Sequence, residues 1–123
     1  MPEEFFEAKA TQKHLRKSAR KVRLVADMVR GKNVAKAIKS LNFLNKSSAP
    51  LVAKVIKSAA ANARDKFQEE RLDNEDLVIK EIFVNEGATL KRIQPRAMGR
   101  ANQIRKRSCH INVIVAKQEL VNQ

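Results

Sequence analysis

Between residues 50 and 67 the apolar side chains Val52, Val55, Ile56, Ala59, Ala60, Ala63 and Phe67 fall three or four apart, the repeat that lines one face of a helix. Pro50 sits in the first turn of that run, where its missing N–H costs nothing, so the pattern predicts a long helix. Its run Ala59, Ala60, Ala61 combines strong helix propensity with close core packing. Two shorter helices precede it by the same logic. Ser18 stands as N-cap before Val22, Val25, Ala26 and Val29, and Gly31 follows as a stop, so the first helix covers 19–30. Asn33 caps the second, whose stripe Val34, Ala37, Ile38 and Leu41 leaves Lys36 and Lys39 on the opposite side and which ends near Leu44.

The remaining signals have a period of two. Phe6, Ala8 and Ala10 alternate with Glu7, Lys9 and Thr11, which predicts a short edge strand over 5–12. After a polar loop over 68–76, residues 77–84 are apolar and β-branched enough for a strand buried over much of its length. Ile111, Val113 and Val115 alternate with Asn112, Ile114 and Ala116, so a last strand over 110–116 closes the core. The intervening 85–109 hold few large apolar residues, only Leu90, Ile93, Met98 and Ile104, too few for a core of their own. They are therefore expected to project as a hairpin arm, reaching about 35 Å at roughly 3.3 Å per extended residue, with Pro95 and Gly99 bracketing the tip. The expected fold is α+β: three helices packed on a small antiparallel sheet, with a long protruding β-hairpin, all 123 residues forming one domain.

Charge sharpens this picture. The formal net charge of +13 is spread unevenly. Residues 8–64 hold 15 bases against Asp27 alone; residues 65–86 reverse the sign with eight acids and three bases; residues 87–118 carry eight bases and no acid. A hairpin this rich in like charge repels itself, so a polyanion is expected to supply the missing negative charge. A membrane surface fits poorly, because the chain has no Trp or Tyr and no apolar run near the roughly 20 residues that a span needs. The acidic start Met1, Pro2, Glu3, Glu4 does not resemble an export or transit signal, and a lone Cys109 allows no internal disulfide. A reducing, cytoplasmic location is expected.

Catalytic chemistry has little to work with. Cys109 and His110 are the sharpest candidates, but neighbours on a strand point to opposite faces, and no third orienting group is evident. His14 lies in an unrelated segment. The acids Glu69, Glu70, Asp73, Glu75 and Asp76 lack the alternating spacing and central Gly of a calcium loop, and only three glycines, Gly31, Gly87 and Gly99, leave no phosphate-cradling loop. No enzymatic activity, metal or cofactor is expected.

Nucleic acid suits what is present, since arginine pairs bidentately with phosphate and stays charged at physiological pH. Lys91, Arg92, Arg96, Arg100, Arg105, Lys106 and Arg107 form the arm's contact set, and alternation sets Arg105 and Arg107 against Lys106, so that phosphates on both sides come within reach. Lys13, Arg16, Lys17, Arg20 and Arg23, at the entrance to the first helix, supply a second anchor. Of the five phenylalanines most fall at core-like positions, so backbone and shape contacts are expected to outweigh base stacking.

The run Lys91-Arg92-Ile93-Gln94-Pro95-Arg96-Ala97-Met98-Gly99-Arg100, followed by His110-Ile111-Asn112-Val113-Ile114-Val115, resembles the signature of the bacterial-type family of large-subunit ribosomal protein twenty-two. The likeness extends to the first helix, to 52–63 and to Glu86 and Gly87, and so covers nearly the whole chain. Two positions depart from it: Ala19 where many relatives have Pro, and Cys109 where Thr or Ser is usual. The resemblance implies a body on the outside of the large subunit and a hairpin running inward through large-subunit (23S-type) rRNA, with Arg96, Ala97, Met98, Gly99 and Arg100 at a tip lining the nascent-peptide exit tunnel. It implies a role in subunit assembly, contact with rRNA that includes His110, neighbouring ribosomal proteins and a transient nascent peptide as partners, and no homo-oligomer. A free-standing nucleic-acid regulator is the competing reading; it would leave the large subunit in a high-salt wash, whereas a structural constituent would stay.

Overall fold

In a computed structural model of the chain, residues 7–68, 71–88, 90–95 and 101–117 are described, 90–95 and 101–106 as backbone. The order is β1 (Glu7–Leu15), α1 (Ala19–Val29), α2 (Val34–Phe43), α3 (Ala49–Lys66), a 3-10 turn (Asn74–Asp76), β2 (Leu77–Glu86), β3 (Leu90–Pro95), β4 (Ala101–Lys106) and β5 (Cys109–Lys117). β5 lies between β1 and β2 in a three-stranded antiparallel sheet, and β3 pairs with β4 in a separate two-stranded one. The architecture is the expected α+β, with the helices on one face of the sheet.

Register explains which face is covered. Val84 is opposite Ile111, Ile82 opposite Val113 and Ile79 opposite Val115, while Ala8 and Ala10 meet Val115 and Val113 from the other side. These positions share one side of the pleat, and all but the half-buried Ala10 are buried there against the helices. From above come Val22, Val25 and Val29 of α1, Val34, Ala37 and Leu41 of α2, and Val52, Ile56, Ala59, Ala60 and Ala63 of α3. Each Val or Ile so buried contributes about 1.5–3 kcal/mol of transfer free energy.

The three helices begin and end near their expected bounds. Asn33 accepts the Ala35 N–H at its Oδ1, a side-chain N-cap, whereas Ser18 occupies the N-cap of α1 without making that bond. Gly31 stops α1 in the left-handed region at φ 79°, where a side chain would be strained. β1 begins within the expected span but runs on to Leu15. Its last residues pass through an irregularity between Gln12 and Leu15, with His14 at φ 57°. Phe5 and Phe6 lie outside the described residues.

Both open edges of the main sheet are occupied by side chains from the helices. On β1, the carbonyls of Glu7 and Lys9 accept from Lys66 Nζ at 3.0 Å and Asn62 Nδ2 at 2.9 Å, two α3 residues one turn apart. On β2, Val84 O accepts both Nε and Nη2 of Arg23 at 3.0 and 2.9 Å, and Ile82 O accepts Arg30 Nη2 at 2.7 Å. Further back, Ile79 exchanges backbone bonds with Gly31 and Lys32. These bonds take up part of each edge's backbone, which blunts it as a template for another strand. Two acids of 65–86, Asp73 and Asp76, form a reciprocal capping box around the 3-10 turn, and Lys80 of the same segment pairs with Glu7 across the sheet. Glu69 and Glu70 lie outside the described residues.

Candidate nucleic-acid interface

The connection from β1 to α1 and the connection from α2 to α3 meet on one side of the body. α1 enters there because the irregular end of β1 turns the chain out of the sheet, and Ser18 then starts the helix. α3 starts there because Ser48 and Pro50 open its first turn beside it, and Lys17 Nζ reaches Ser47 Oγ at 3.4 Å. The root of the arm returns to the same place through Arg107, just before β5. The result is a groove of about 720 Å³ lined by Arg16, Lys17, Lys21, Lys46 and Arg107 together with the apolar Leu24 and Val25 and the hydroxyl residues Ser18, Ser47 and Ser48. Among the described residues, five cations and no acid line it.

Two anchors that are remote in sequence therefore form one surface: Arg16 and Lys17 from the N-terminal set, and Arg107 from the arm. The groove has the size of a small-ligand site, but its like charges require an anion to be brought close together without penalty. Sequence alone does not single out Lys46, Ser47 and Ser48. Their one signal is local basicity, and their nearness to Arg16 depends on how α2 and α3 stack.

The other expected contact residues are placed as follows. Lys13 is exposed near the end of β1, and Arg20 is exposed on α1. Arg23 is also exposed, but two of its donors are committed to Val84 O, which ties α1 to the strand leading into the arm. In the arm, β3 and β4 are in register so that Lys91 faces Arg105, Leu90 faces Lys106 and Arg92 faces Ile104. Lys91 and Arg105 thus occupy directly opposed positions, a like-charge pairing that disfavours the ribbon by itself. Arg96, Ala97, Met98, Gly99 and Arg100 lie outside the described residues.

The root of the arm is tightly built. Gly87 N–H donates to Ser108 O at 2.9 Å, and Ser108 Oγ donates to Ala88 O at 2.7 Å. A Cβ on Gly87 would come to 2.6 Å from Ser108 Oγ and 3.2 Å from the His110 ring, so close approach requires glycine there.

His14 and His110, unrelated in sequence, come together because β1 pairs with β5: the His14 N–H donates to His110 Nδ1 at 3.1 Å, and the rings meet edge to face at 5.1 Å. With Nδ1 accepting, Nε2 is the nitrogen of His110 left to donate. Cys109 faces the other way. Its thiol is fully buried in the core, and burial pushes its pKa up from the ordinary value, with the positive charge of Arg23 working in the opposite sense. Cys109 and His110 are accordingly not assembled as a nucleophile and its base. Among the described residues no three His, Cys, Asp or Glu side chains converge as a metal site would require, and no helix is long and apolar enough to cross a membrane.

Comparison with known proteins bears on what such a surface serves. Residues 10–116 match the family described as Ribosomal protein L22p/L17e. The chain is 52% identical over 119 residues to the large ribosomal subunit protein uL22 of Pediococcus pentosaceus, covering 97% of this chain and 98% of that one. It is 51% identical over 113 residues to the protein of the same name in Oceanobacillus iheyensis (92% and 97%), and 50% identical over 113 residues to that of Desulfitobacterium hafniense (92% and 96%).

Proposed function

Because the chain belongs to the ribosomal protein L22p/L17e family, we propose that its basic groove and its paired arm strands hold large-subunit ribosomal RNA. It is a structural constituent of the large ribosomal subunit, located in the ribosome in the cytoplasm. The observation that carries the residue-level reading is the groove: five cations from three separate stretches of chain, with no acid among its described lining residues. Phosphates seated there would release condensed counterions, which gives affinity without sequence readout, while the arginine forks fix orientation.

The body, in this reading, is held at its groove, and 85–109 extends from it as an arm. Lys91, Arg92, Arg105 and Lys106 run along the arm toward a tip at 96–100 that lines the exit tunnel and meets the nascent peptide in passing. Like charges that disfavour the free ribbon become contacts once RNA lies beside it. The neighbours are RNA and other ribosomal proteins, a single copy of the chain suffices, and no substrate is turned over.

Replacing Lys21, Lys46 and Arg107 together by Gln tests this directly. The full-length variant is expected to bind large-subunit rRNA more weakly at every salt concentration. Its plot of log affinity against log salt should be shallower by about 0.7–0.9 for each phosphate that the protein ceases to neutralise. An unchanged slope would remove the groove from the interface.

A further inference from the structure

We propose that the outer face of α2 is a second RNA surface, on which Phe43 stacks against an unpaired base while Lys32, Lys36 and Lys39 hold the adjoining phosphates. This rests on the reading of the chain as an rRNA-holding protein, and it adds a face that neither the arm nor the groove includes. Phe43 is the last residue of α2 and is 85% exposed. One turn back on the helix stand Lys39 and Ser40, and one turn further Lys36, since residues three or four apart share a face. Together with Lys32 these line a shallow groove of about 520 Å³ beside Gly31 and Val78, and among the described residues no acid lines it. Residues 28–64 as a whole contain eight bases and no acid.

The occupant is chosen by this setting. A protein partner would seek a contiguous apolar patch, whereas here a single exposed ring, Phe43, follows by helical spacing the lysines and serine that line the groove. A π-face flanked by cations is the pairing that single-stranded nucleic acid uses, base on ring and phosphate on ammonium. Phe83 makes the contrast: it is 40% exposed on β2, two residues from Glu81 in the acidic part of the chain.

The chain has no Trp or Tyr, so Phe43→Trp introduces a sole strong fluorophore. Titrating this full-length variant with protein-free large-subunit rRNA should quench the indole emission in step with binding, with affinity at least that of the unsubstituted protein. Phe43→Leu should bind the same RNA about 5- to 150-fold more weakly, the range expected for one base–aromatic stack. Its thermal unfolding should be unchanged because the side chain is exposed. If the unsubstituted protein binds but the emission is unmoved and Phe43→Leu binds equally well, the proposal is overturned and the groove reading stands. An indole that responds only in the assembled subunit, and there contacts protein, also overturns it. Failure of the unsubstituted protein to bind rRNA would overturn both.

Discussion

Arg23 and Cys109 show how little of a side chain's role is carried by its type. Arg23 reads from sequence as one more phosphate contact, yet two of its donors bond Val84 O, a pairing between α1 and β2 that no local pattern announces. Arg23→Lys keeps the charge and loses the fork. We expect a loss of about 1 kcal/mol in urea unfolding, the net worth of a typical hydrogen bond, with the salt slope of RNA binding little altered; equal stability would make Arg23 a contact residue alone. Cys109, by contrast, is legible, because strand alternation places it on the core side and His110 on the other. Its raised pKa has a defined sign. The unfolded thiol ionises first, so stability is intact below the ordinary thiol pKa of about 8.5 and falls as pH rises beyond it. Cys109→Ala should lose that alkaline slope, which is read by comparing melting temperatures of the two proteins from pH 7 to 10. Equal slopes would mean that the thiol is not shielded.

The helices and strands are readable because each has one dominant period. The stripe on α3 becomes its buried face, Asn33 caps α2 with its side chain, and Gly31 ends α1 in a left-handed turn. Pairing is what a local pattern cannot supply. The meeting of His14 with His110, the edge contacts of Asn62 and Lys66 on β1, and the joining of Lys46 to Arg107 all depend on residues tens of positions apart. The root of the arm is the element on which orientation depends, and Gly87→Ala tests it. A methyl there must displace Ser108 Oγ from Ala88 O and crowd His110. Destabilisation of about 1 kcal/mol is expected, the net worth of the Ser108 hydrogen bond that the methyl displaces, and is measurable by thermal unfolding; a neutral substitution would show that the root yields. β3 and β4, with Lys91 opposite Arg105 in a two-stranded ribbon, should exchange their backbone amides fast in the free protein and slowly when RNA is bound. Protection in the free protein would show that the ribbon holds itself together.

Taken whole, the described residues separate some charges by task. Asp73 and Asp76 serve a turn cap within the fold and Glu7 a cross-sheet pair, while Arg16, Lys17, Lys21, Lys46 and Arg107 line one groove and Lys32, Lys36 and Lys39 another, neither with an acid among its described residues. Charge totals alone point to a polyanion, the family supplies the large ribosomal subunit, and the groove is where we propose that the body is held. The most direct measurement is site-specific photocrosslinking within intact large subunits, with the reactive group introduced at position 46 in one preparation and at position 107 in another. We expect both positions, 61 residues apart in sequence but on one groove, to attach to the same short segment of large-subunit RNA. Adducts to protein alone, or to RNA segments far apart in the subunit, would contradict a single RNA-holding groove.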